Sequence, residues 1–264
     1  MPDGALFIPE GDGVFRPTEL TRGPWTDDAQ HGGPVAALLV GAVEELDAER
    51  DLQVARLTFE FLRPIPLRPL RIEAWLEETG RSVDRGSAVA RDEASREPVA
   101  VVRAVRIRQK PFELPQPPLV GDRPQGPQGL TSTGGLVAGV RVFFGTHGME
   151  IRFARGSVLE PGPATAWFRL CQPVVAGRPP SPLQRVAAAA DFGNGISGLA
   201  DFGALLFVNP DLTIALHRQP VGEWICLDAI SRYEPNGIGG ADTALFDELG
   251  PIGRSYQTLL ISAR

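Results

Sequence analysis

The sequence predicts an α+β fold that contains two copies of one helix-plus-sheet unit. The first observation is a repeated phrase: LTFEFLRPIP at 57–66 and LTIALHRQPV at 212–221 both begin with Leu-Thr and carry an arginine six residues after the leucine. The second is the order of the predicted elements, which places a small-residue helix before each copy and further strands after it. Because repeated units bury a shared core by packing together, we expect a functional site at the seam between the copies.

The first unit is predicted as a strand, a helix and a meander of strands. A strand-like segment at 5–21 is followed by the loop 23–33, which is dense in turn-forming residues. Pro34 suits the first turn of a helix because its missing N–H is not needed there. Apolar residues then recur at helical spacing up to position 46. The predicted strands are 56–63, 70–79, 81–92 and 98–109.

A segment rich in proline and glycine, residues 111–135, divides the chain. This composition is typical of a linker, so we predict an N-terminal unit at 1–110 and a C-terminal unit at 136–264. A second helix is predicted over 182–202, with Ser181 as its N-cap and a proline in its first turn. The strands predicted for this unit are 148–155, 165–171, 204–218, 223–233, 239–248 and 252–263. The element order matches that of the first unit and supports a duplication.

The composition is that of an ordinary globular protein, with 43% hydrophobic and 22% charged residues among 264. A formal net charge of −6 argues against a nucleic-acid partner, which needs a basic surface. With no leader-like start and no apolar run of about 18 residues, we expect no membrane partner. Cys171 and Cys226 lack metal-ligand spacing and are expected to be buried thiols. We therefore expect a cytoplasmic protein without metal or cofactor; the sequence leaves its oligomeric state open, a homo-oligomer included.

Two polar residues interrupt apolar segments of the second unit. Asp191 follows a run of alanines typical of a buried helix, and aspartate is rarely buried unless it is paired or functional. Gln257 interrupts the apolar final strand, and aligning Pro98 with Pro251 places Ala104 opposite it, so the repeated fold does not require the glutamine. The alternatives are a helix-end or turn aspartate and a structural hydrogen-bonding amide.

Further candidates lie on one predicted strand and one predicted helix start. Asn209 and Thr213 are four residues apart on the strand 204–218, which predicts that they share a face; the alternative is a simple turn at Asn209-Pro210-Asp211. His31, Gly32 and Gly33 precede the first helix, where glycines let a substrate approach N–H groups and the helix dipole favours negative charge. An ordinary loop-to-helix turn is the alternative there.

The whole chain resembles the acyl-CoA thioesterase II type of the thioesterase-like superfamily. The stretches that carry the resemblance are GPWTDDAQHGGPVAALL, AADFGNG, LHRQPVGEWICLDA and GADTALFDELGPIGRSYQTLLISAR. The resemblance implies a double hotdog fold, in which two helix-wrapped antiparallel sheets join into one. It also implies a site in the second unit where an Asp, a hydroxyl residue and a Gln orient a hydrolytic water. Asp191 and Gln257 match two of these positions, whereas Asn209 stands where the family has threonine, with Thr213 as the fallback.

The resemblance implies an acyl-CoA or carrier-bound acyl thioester as the substrate, and the residue types suit its hydrolysis. Asp191 can accept the proton of a water, which Gln257 and Asn209 can orient, and N–H groups at Gly32 and Gly33 can bind the developing oxyanion. Two other functions stay open. The strand VNPDLTIALH has some similarity to a hotdog hydratase or dehydratase strand but lacks its closely spaced Asp and His. A non-catalytic acyl-binding protein would explain the missing threonine.

Overall fold

Thirteen strands of the chain form one antiparallel sheet. In the computed structural model, the described residues are 4–47, 50–115, 123–132, 142–200 and 204–263. The strands are β1 Phe7–Gly11, β2 Val14–Pro17, β3 Leu52–Phe61, β4 Leu70–Thr79, β5 Val83–Asp92, β6 Pro98–Arg108, β7 Met149–Ser157, β8 Glu160–Leu170, β9 Leu205–Val208, β10 Asp211–Leu216, β11 Ile225–Tyr233, β12 Ile238–Asp247 and β13 Gly250–Ala263. The helices are α1 Gly32–Glu44, α2 Pro182–Ala190 and α3 Gly193–Ile196. The order of the strands along the sheet is β1-β2-β4-β5-β6-β3-β10-β13-β12-β11-β8-β7, and β9 also pairs with β13.

The repeated phrase lies at the centre of this sheet. It forms β3 in the first half and β10 in the second, and these two strands pair antiparallel with Thr58 opposite Thr213. The two threonines are also equivalent in the repeat, so exchanging the two copies maps this pair onto itself. The neighbouring pairs, Leu57 with Ile214 and Phe59 with Leu212, exchange with one another. The duplication read from the sequence is therefore also present in the strand register.

The register also relates individual positions of the two halves. In the first half, Gly86 of β5 lies opposite Ala104 of β6. In the second half, Ala241 of β12 lies opposite Gln257 of β13. Because β5 and β12 occupy corresponding places, Ala104 takes the position of Gln257, in agreement with the alignment of the two prolines.

The two longer helices contact each other and share one apolar core with the sheet. α1 contacts β3 to β6, and α2 contacts β8, β10 and β11. The alanines of α2 from Ala187 to Ala190 are fully buried, which places the two helix backbones close together. The helix predicted over 182–202 ends at Ala190, and the short α3 follows, because Gly193 and Gly195 disfavour a continuous helix. No helix in the described ranges has the length and apolar character required to cross a membrane.

The predicted strand 204–218 is broken by a bulge, so one expectation about it is wrong. Val208 of β9 pairs with Leu260, and Thr213 of β10 pairs with Tyr256. Between these pairs, positions 209–212 face positions 257–259, which is four residues against three. One extra residue reverses the face to which the following side chains point.

Asn209 and Thr213 consequently lie on opposite faces of the sheet. Asn209 points inward, where its amide reaches the carboxylate of Asp191. Leu212 and Ile214 belong to the buried core, so Thr213 between them lies on the outer face. The prediction of a shared face assumed regular alternation along one strand, and the bulge interrupts that alternation.

The described part of the predicted linker lies on the second half of the sheet. The carbonyl of Gln125 accepts a hydrogen bond from Trp167 Nε1 at 2.7 Å. Trp167 belongs to a second, smaller apolar cluster with Trp224, Cys226 and Phe246. Cys226 is buried as predicted, but Cys171 is exposed, so only one of the two thiols fits the expectation.

Candidate active site

The buried carboxylate of Asp191 is the centre of a cluster formed by both halves of the chain. Its Oδ1 accepts hydrogen bonds from Asn209 Nδ2 at 2.8 Å and from Gln257 Nε2 at 3.4 Å. Its Oδ2 lies 2.9 Å from Nδ1 of His31. Four of the residues singled out in the sequence therefore meet at one side chain, which is 5% exposed.

Asp191 is held at this point by the end of α2. The helix begins with a capping box in which Ser181 and Gln184 satisfy each other's backbone N–H groups, and Pro182 lies in the first turn. It ends at Asp191, which is the C-cap residue. The carboxylate is thus fixed at the end of a helix whose alanines allow close approach to α1.

Two glycines of α1 make this close approach possible. A Cβ added to Gly32 would lie 2.7 Å from Asp191 Oδ2, and a Cβ added to Gly33 would lie 2.6 Å from the carbonyl oxygen of Ala188. Any other residue at either position would push the helices or the carboxylate apart. The start of α1, whose first N–H groups have no partner within the helix, consequently faces the carboxylate directly.

Gln257 ties the turn after α2 to the last strand. Its Oε1 accepts from the backbone N–H of Asn194 at 3.0 Å, and its Nε2 lies 3.3 Å from the Asp191 carbonyl oxygen and 3.4 Å from Oδ1. Gln257 is 1% exposed, so its amide is shielded from solvent and is held by these hydrogen bonds within the protein. The backbone of Asn194 is a part of the site that the sequence indicated only as a turn.

One ring nitrogen of His31 contacts both the start of α1 and the carboxylate of Asp191. It is the N-cap of α1, and its Nδ1 lies 3.0 Å from Gly33 N as well as 2.9 Å from Asp191 Oδ2. A single ring nitrogen cannot accept from Gly33 and donate to Asp191 at the same time. The contact with Gly33 uses Nδ1 as an acceptor, whereas a hydrogen bond to Asp191 would use it as a donor. The ring stacks on Phe192 at a centroid distance of 4.6 Å.

An aromatic wall that the sequence reasoning missed surrounds this cluster. Phe192 packs against Phe144 and Phe168, with ring centroids 5.5 and 5.0 Å apart. On the other side, Phe61 Cζ lies 3.0 Å from the position of a Cβ on Gly32. The position of Phe192 directly after Asp191 was the available signal. These rings exclude bulk water and give the carboxylate apolar surroundings.

The remaining three predicted residues, Thr213, Gly32 and Gly33, are placed differently. The outer-face position of Thr213 leaves it away from the carboxylate, beside Thr58 in the neighbouring strand. The N–H of Gly33 donates to His31 Nδ1. The position of Gly32 against Asp191 Oδ2 makes its backbone the part of the helix start nearest the carboxylate.

Only the second half carries polar residues on the inner face of its sheet near this cluster. When the two halves are aligned by their strand registers, each of these polar residues corresponds to an apolar residue of the first half. The corresponding positions are Thr243 and Ala88, Ser255 and Val102, Ser231 and Leu76, and Gln257 and Ala104. All four polar residues are buried, so the sheet that faces the cluster is polar in the second half at positions that are apolar in the first.

Comparisons with known proteins identify the family of the chain. The family model for the N-terminal domain of acyl-CoA thioesterases matches residues 21–107, and the model for the C-terminal domain matches residues 114–261. No curated protein matches the sequence.

Solved structures show the same fold at low sequence identity. A hotdog-fold protein of unknown function from Alicyclobacillus acidocaldarius is 18% identical, with a TM-score of 0.72 over 99% of this chain and 97% of that one. The acyl-CoA thioesterase II TesB2 from Mycobacterium marinum is 17% identical, with a TM-score of 0.65 over 98% and 96%. The TesB protein of Mycobacterium avium subsp. paratuberculosis is 16% identical, with a TM-score of 0.67 over 97% and 96%.

These likenesses concern the fold, whereas the two family models together span most of the chain and include each residue of the cluster around Asp191. The chain belongs to the acyl-CoA thioesterase family.

Proposed function

We propose that the protein hydrolyses acyl-CoA or carrier-bound acyl thioesters with a water molecule activated by Asp191. The observation that carries the proposal is the arrangement around the carboxylate. Two amide donors, from Asn209 and Gln257, occupy Oδ1, whereas the side-chain contact of Oδ2 in the described residues is with His31. A carboxylate oxygen has two lone pairs, so Oδ2 retains one for a water molecule.

In the proposed reaction the water oxygen attacks the thioester carbonyl carbon while Asp191 Oδ2 takes its proton. The developing oxyanion needs preorganised donors, and the N-terminus of α1 at Gly32 is the proposed source. The C–S bond then breaks, the thiolate leaves as the free thiol after receiving the proton, and the acyl group leaves as a carboxylic acid. The proton path back to the thiolate runs through Asp191, with His31 next to the same oxygen.

Asn209 has a different role from a hydroxyl residue in this scheme. Both hydrogens of its amide are used within the protein, one on Asp191 Oδ1 and one on the carbonyl oxygen of Asp211 at 3.1 Å. Asn209 therefore orients the carboxylate, and the carboxylate in turn orients the water. Gln257 supports the same oxygen from the other strand.

The proposal extends to the fold and the setting. We infer a double hotdog, with units at 1–110 and 136–264 joined by the linker 111–135, because β3 and β10 pair at equivalent positions. α1 and α2 are proposed as the central helices of the two units, consistent with their contacts to the strands of their own halves. A cytoplasmic location is proposed, in keeping with a CoA-linked or carrier-linked substrate.

Release of free thiol from a panel of acyl-CoAs, from acetyl to palmitoyl, tests the proposed function. A thioesterase produces thiol in proportion to enzyme, and the Asp191→Asn variant does not. A hydratase would consume the conjugated double bond of an enoyl-CoA without thiol release, and an acyl-binding protein would do neither. Either of these last two results would overturn the proposal.

A further inference from the structure

We propose that Asp211 is a positioning residue for the hydrolysis inferred above, because its carboxylate fixes the bulge that aims Asn209 at Asp191. Asp211 is the first residue of β10 and lies on the outer face of the sheet. Its Oδ1 accepts from the backbone N–H of Thr258 at 2.7 Å, and its Oδ2 accepts from Thr258 Oγ1 at 2.9 Å. We refer to this two-pronged contact between Asp211 and Thr258 as the clasp.

The clasp lies where the regular ladder between the strands is interrupted. The pairs Val208 with Leu260 and Thr213 with Tyr256 enclose the extra residue of the bulge. At a bulge the local ladder is disrupted and the strand bends. The Asp211 carboxylate bonds the β13 backbone within this interval and so determines how far the bulged chain stands from β13.

The distance between the bulged strand and β13 matters because each of these two segments carries one of the amide donors to Asp191 Oδ1. Gln257 precedes Thr258 on β13, and Asn209 precedes Asp211 on the bulged strand by two residues. The Asn209 amide also donates to the Asp211 carbonyl oxygen at 3.1 Å. The clasp thus joins the two chain segments that carry Asn209 and Gln257, and it sets the spacing between the amides.

The first half shows that the bulge itself does not need the clasp. β3 has a register shift between Val54, opposite Arg106, and Arg56, opposite Val105. In the repeat these positions correspond to Asn209 for Val54, Asp211 for Arg56 and Thr258 for Val105. A bulge therefore forms at the equivalent place with neither an aspartate nor a threonine. The clasp is present only in the half that carries the catalytic carboxylate, which indicates a role in aiming Asn209 rather than in folding.

The test combines kinetics with a signal from Asn209 itself. The variants are Asp211→Ala, Asp211→Asn and Thr258→Val, each made in the parent and in an Asn209→Ala background. Asp242→Ala is the matched control, since this aspartate also lies on the outer face beside β13 and pairs with Arg254 at 2.6 Å. The measurements are kcat and KM for thiol release and the side-chain amide resonances of Asn209 by NMR.

We expect Asp211→Ala to lower kcat by about tenfold to a hundredfold with little change in KM, because a misplaced donor misaligns the carboxylate. Asp211→Asn should recover most of this loss, since its amide oxygen can accept from the Thr258 N–H and its NH₂ can donate to Thr258 Oγ1. Thr258→Val should have an intermediate effect. In the Asn209→Ala background, Asp211→Ala should change kcat by less than about twofold, the non-additivity expected of residues that act through one another.

Several results would overturn the inference. They are an equal loss in kcat with and without Asn209, an equal loss from Asp242→Ala, or Asn209 amide resonances that stay unchanged in Asp211→Ala. If the parent protein released no thiol, the proposed hydrolysis would be wrong. The NMR comparison would still decide whether Asp211 positions Asn209.

Discussion

Asp191 is where the two halves of the chain meet. Its Oδ2 contacts His31 of the first half and its Oδ1 contacts two amides of the second half. The sequence indicated Asp191 and Gln257 because each polar residue interrupts an apolar segment, and that signal is local. It could not indicate the contact between His31 and Asp191, because that contact depends on how α1 and α2 pack across the centre of the molecule.

Replacing Asp191 by asparagine should separate the chemistry from the structure. The variant keeps the shape of the side chain but lacks the basic oxygen, so kcat should fall on the order of a hundredfold or more. KM should change little, because the substitution keeps the size of the side chain and leaves the surrounding residues in place. Steady-state thiol release is the measurement, with circular dichroism to show that the fold is retained. Undiminished turnover would show that Asp191 is not the base.

Gly32 should tolerate no side chain, unlike a glycine in the middle of the same helix. A Cβ at Gly32 would lie 2.7 Å from Asp191 Oδ2, whereas a Cβ at Gly41 would lie 2.7 Å from Nε2 of Gln184, seven residues before Asp191 on α2. Gly32→Ala should therefore lower kcat at least about tenfold by displacing the carboxylate. Gly41→Ala should displace the Gln184 amide from the Ala37 carbonyl oxygen, which lies away from the carboxylate, and should keep turnover. Equal kinetic effects of the two variants would contradict this explanation.

The strands show which parts of the fold a sequence pattern can predict. The meander β4 to β6 was predicted almost to its observed ends because turn-forming residues, Pro69 before β4 and Gly80 after it, bound the runs of strand-forming residues. The strand predicted over 204–218 was not, because a bulge adds one residue and reverses the faces after it. The proline in Asn209-Pro210-Asp211 was the local signal. Which side chain would then point inward depended on the partner strand β13.

At the level of the strand pair β12–β13, Gln257 should matter for catalysis and its counterpart Ala104 should not. Gln257→Ala removes one donor to Asp191 Oδ1 and the acceptor for Asn194 N–H, so most thiol release should be lost while the fold persists. The reciprocal Ala104→Gln places an amide in the apolar core of the first half, which should cost about 1–3 kcal/mol of stability. It should add no activity. Near-parental turnover of Gln257→Ala on all substrates would contradict the assignment.

Across the whole molecule, an aspartate anchored to an arginine occurs in both halves, whereas Asp191 and the two amides that donate to its Oδ1 belong to the second half. Asp92 ends β5 and bonds Arg68, with Nε at 3.0 Å from Oδ1. Asp247 ends the corresponding β12 and receives both Nη atoms of Arg218 at 2.5 Å. Both buried aspartates thus anchor a strand end to an arginine. The sequence shows the duplication through its repeated phrase, but it cannot tell these anchoring aspartates from Asp191, because all three are buried acids.

Replacement by asparagine should therefore lower the stability of the protein at Asp247 and its turnover at Asp191. Burial raises the pKa of the Asp247 carboxyl, but the Arg218 guanidinium and the N–H groups of Val221 and Leu249 outweigh it, so the pKa is lowered overall. A lowered folded-state pKa adds stability above the unfolded value of about 3.9, and this stability is lost as the pH falls through the folded pKa.

Asp247→Asn leaves the arginine without its charged partner and should lower the free energy of unfolding at pH 7 by about 3 kcal/mol. The difference from the parent should shrink as the pH falls below the unfolded value of about 3.9, because the unfolded parent carboxyl is then protonated. It should be smallest below the lowered folded pKa, where the folded carboxyl is protonated as well. Turnover of the folded variant should stay near the parental value, because the anchor lies at the end of β12, away from the cluster at Asp191. Denaturant unfolding between pH 3 and pH 7, run beside Asp191→Asn, measures both effects. If Asp247→Asn lost turnover without losing stability, the separation of anchoring and catalytic acids would be wrong.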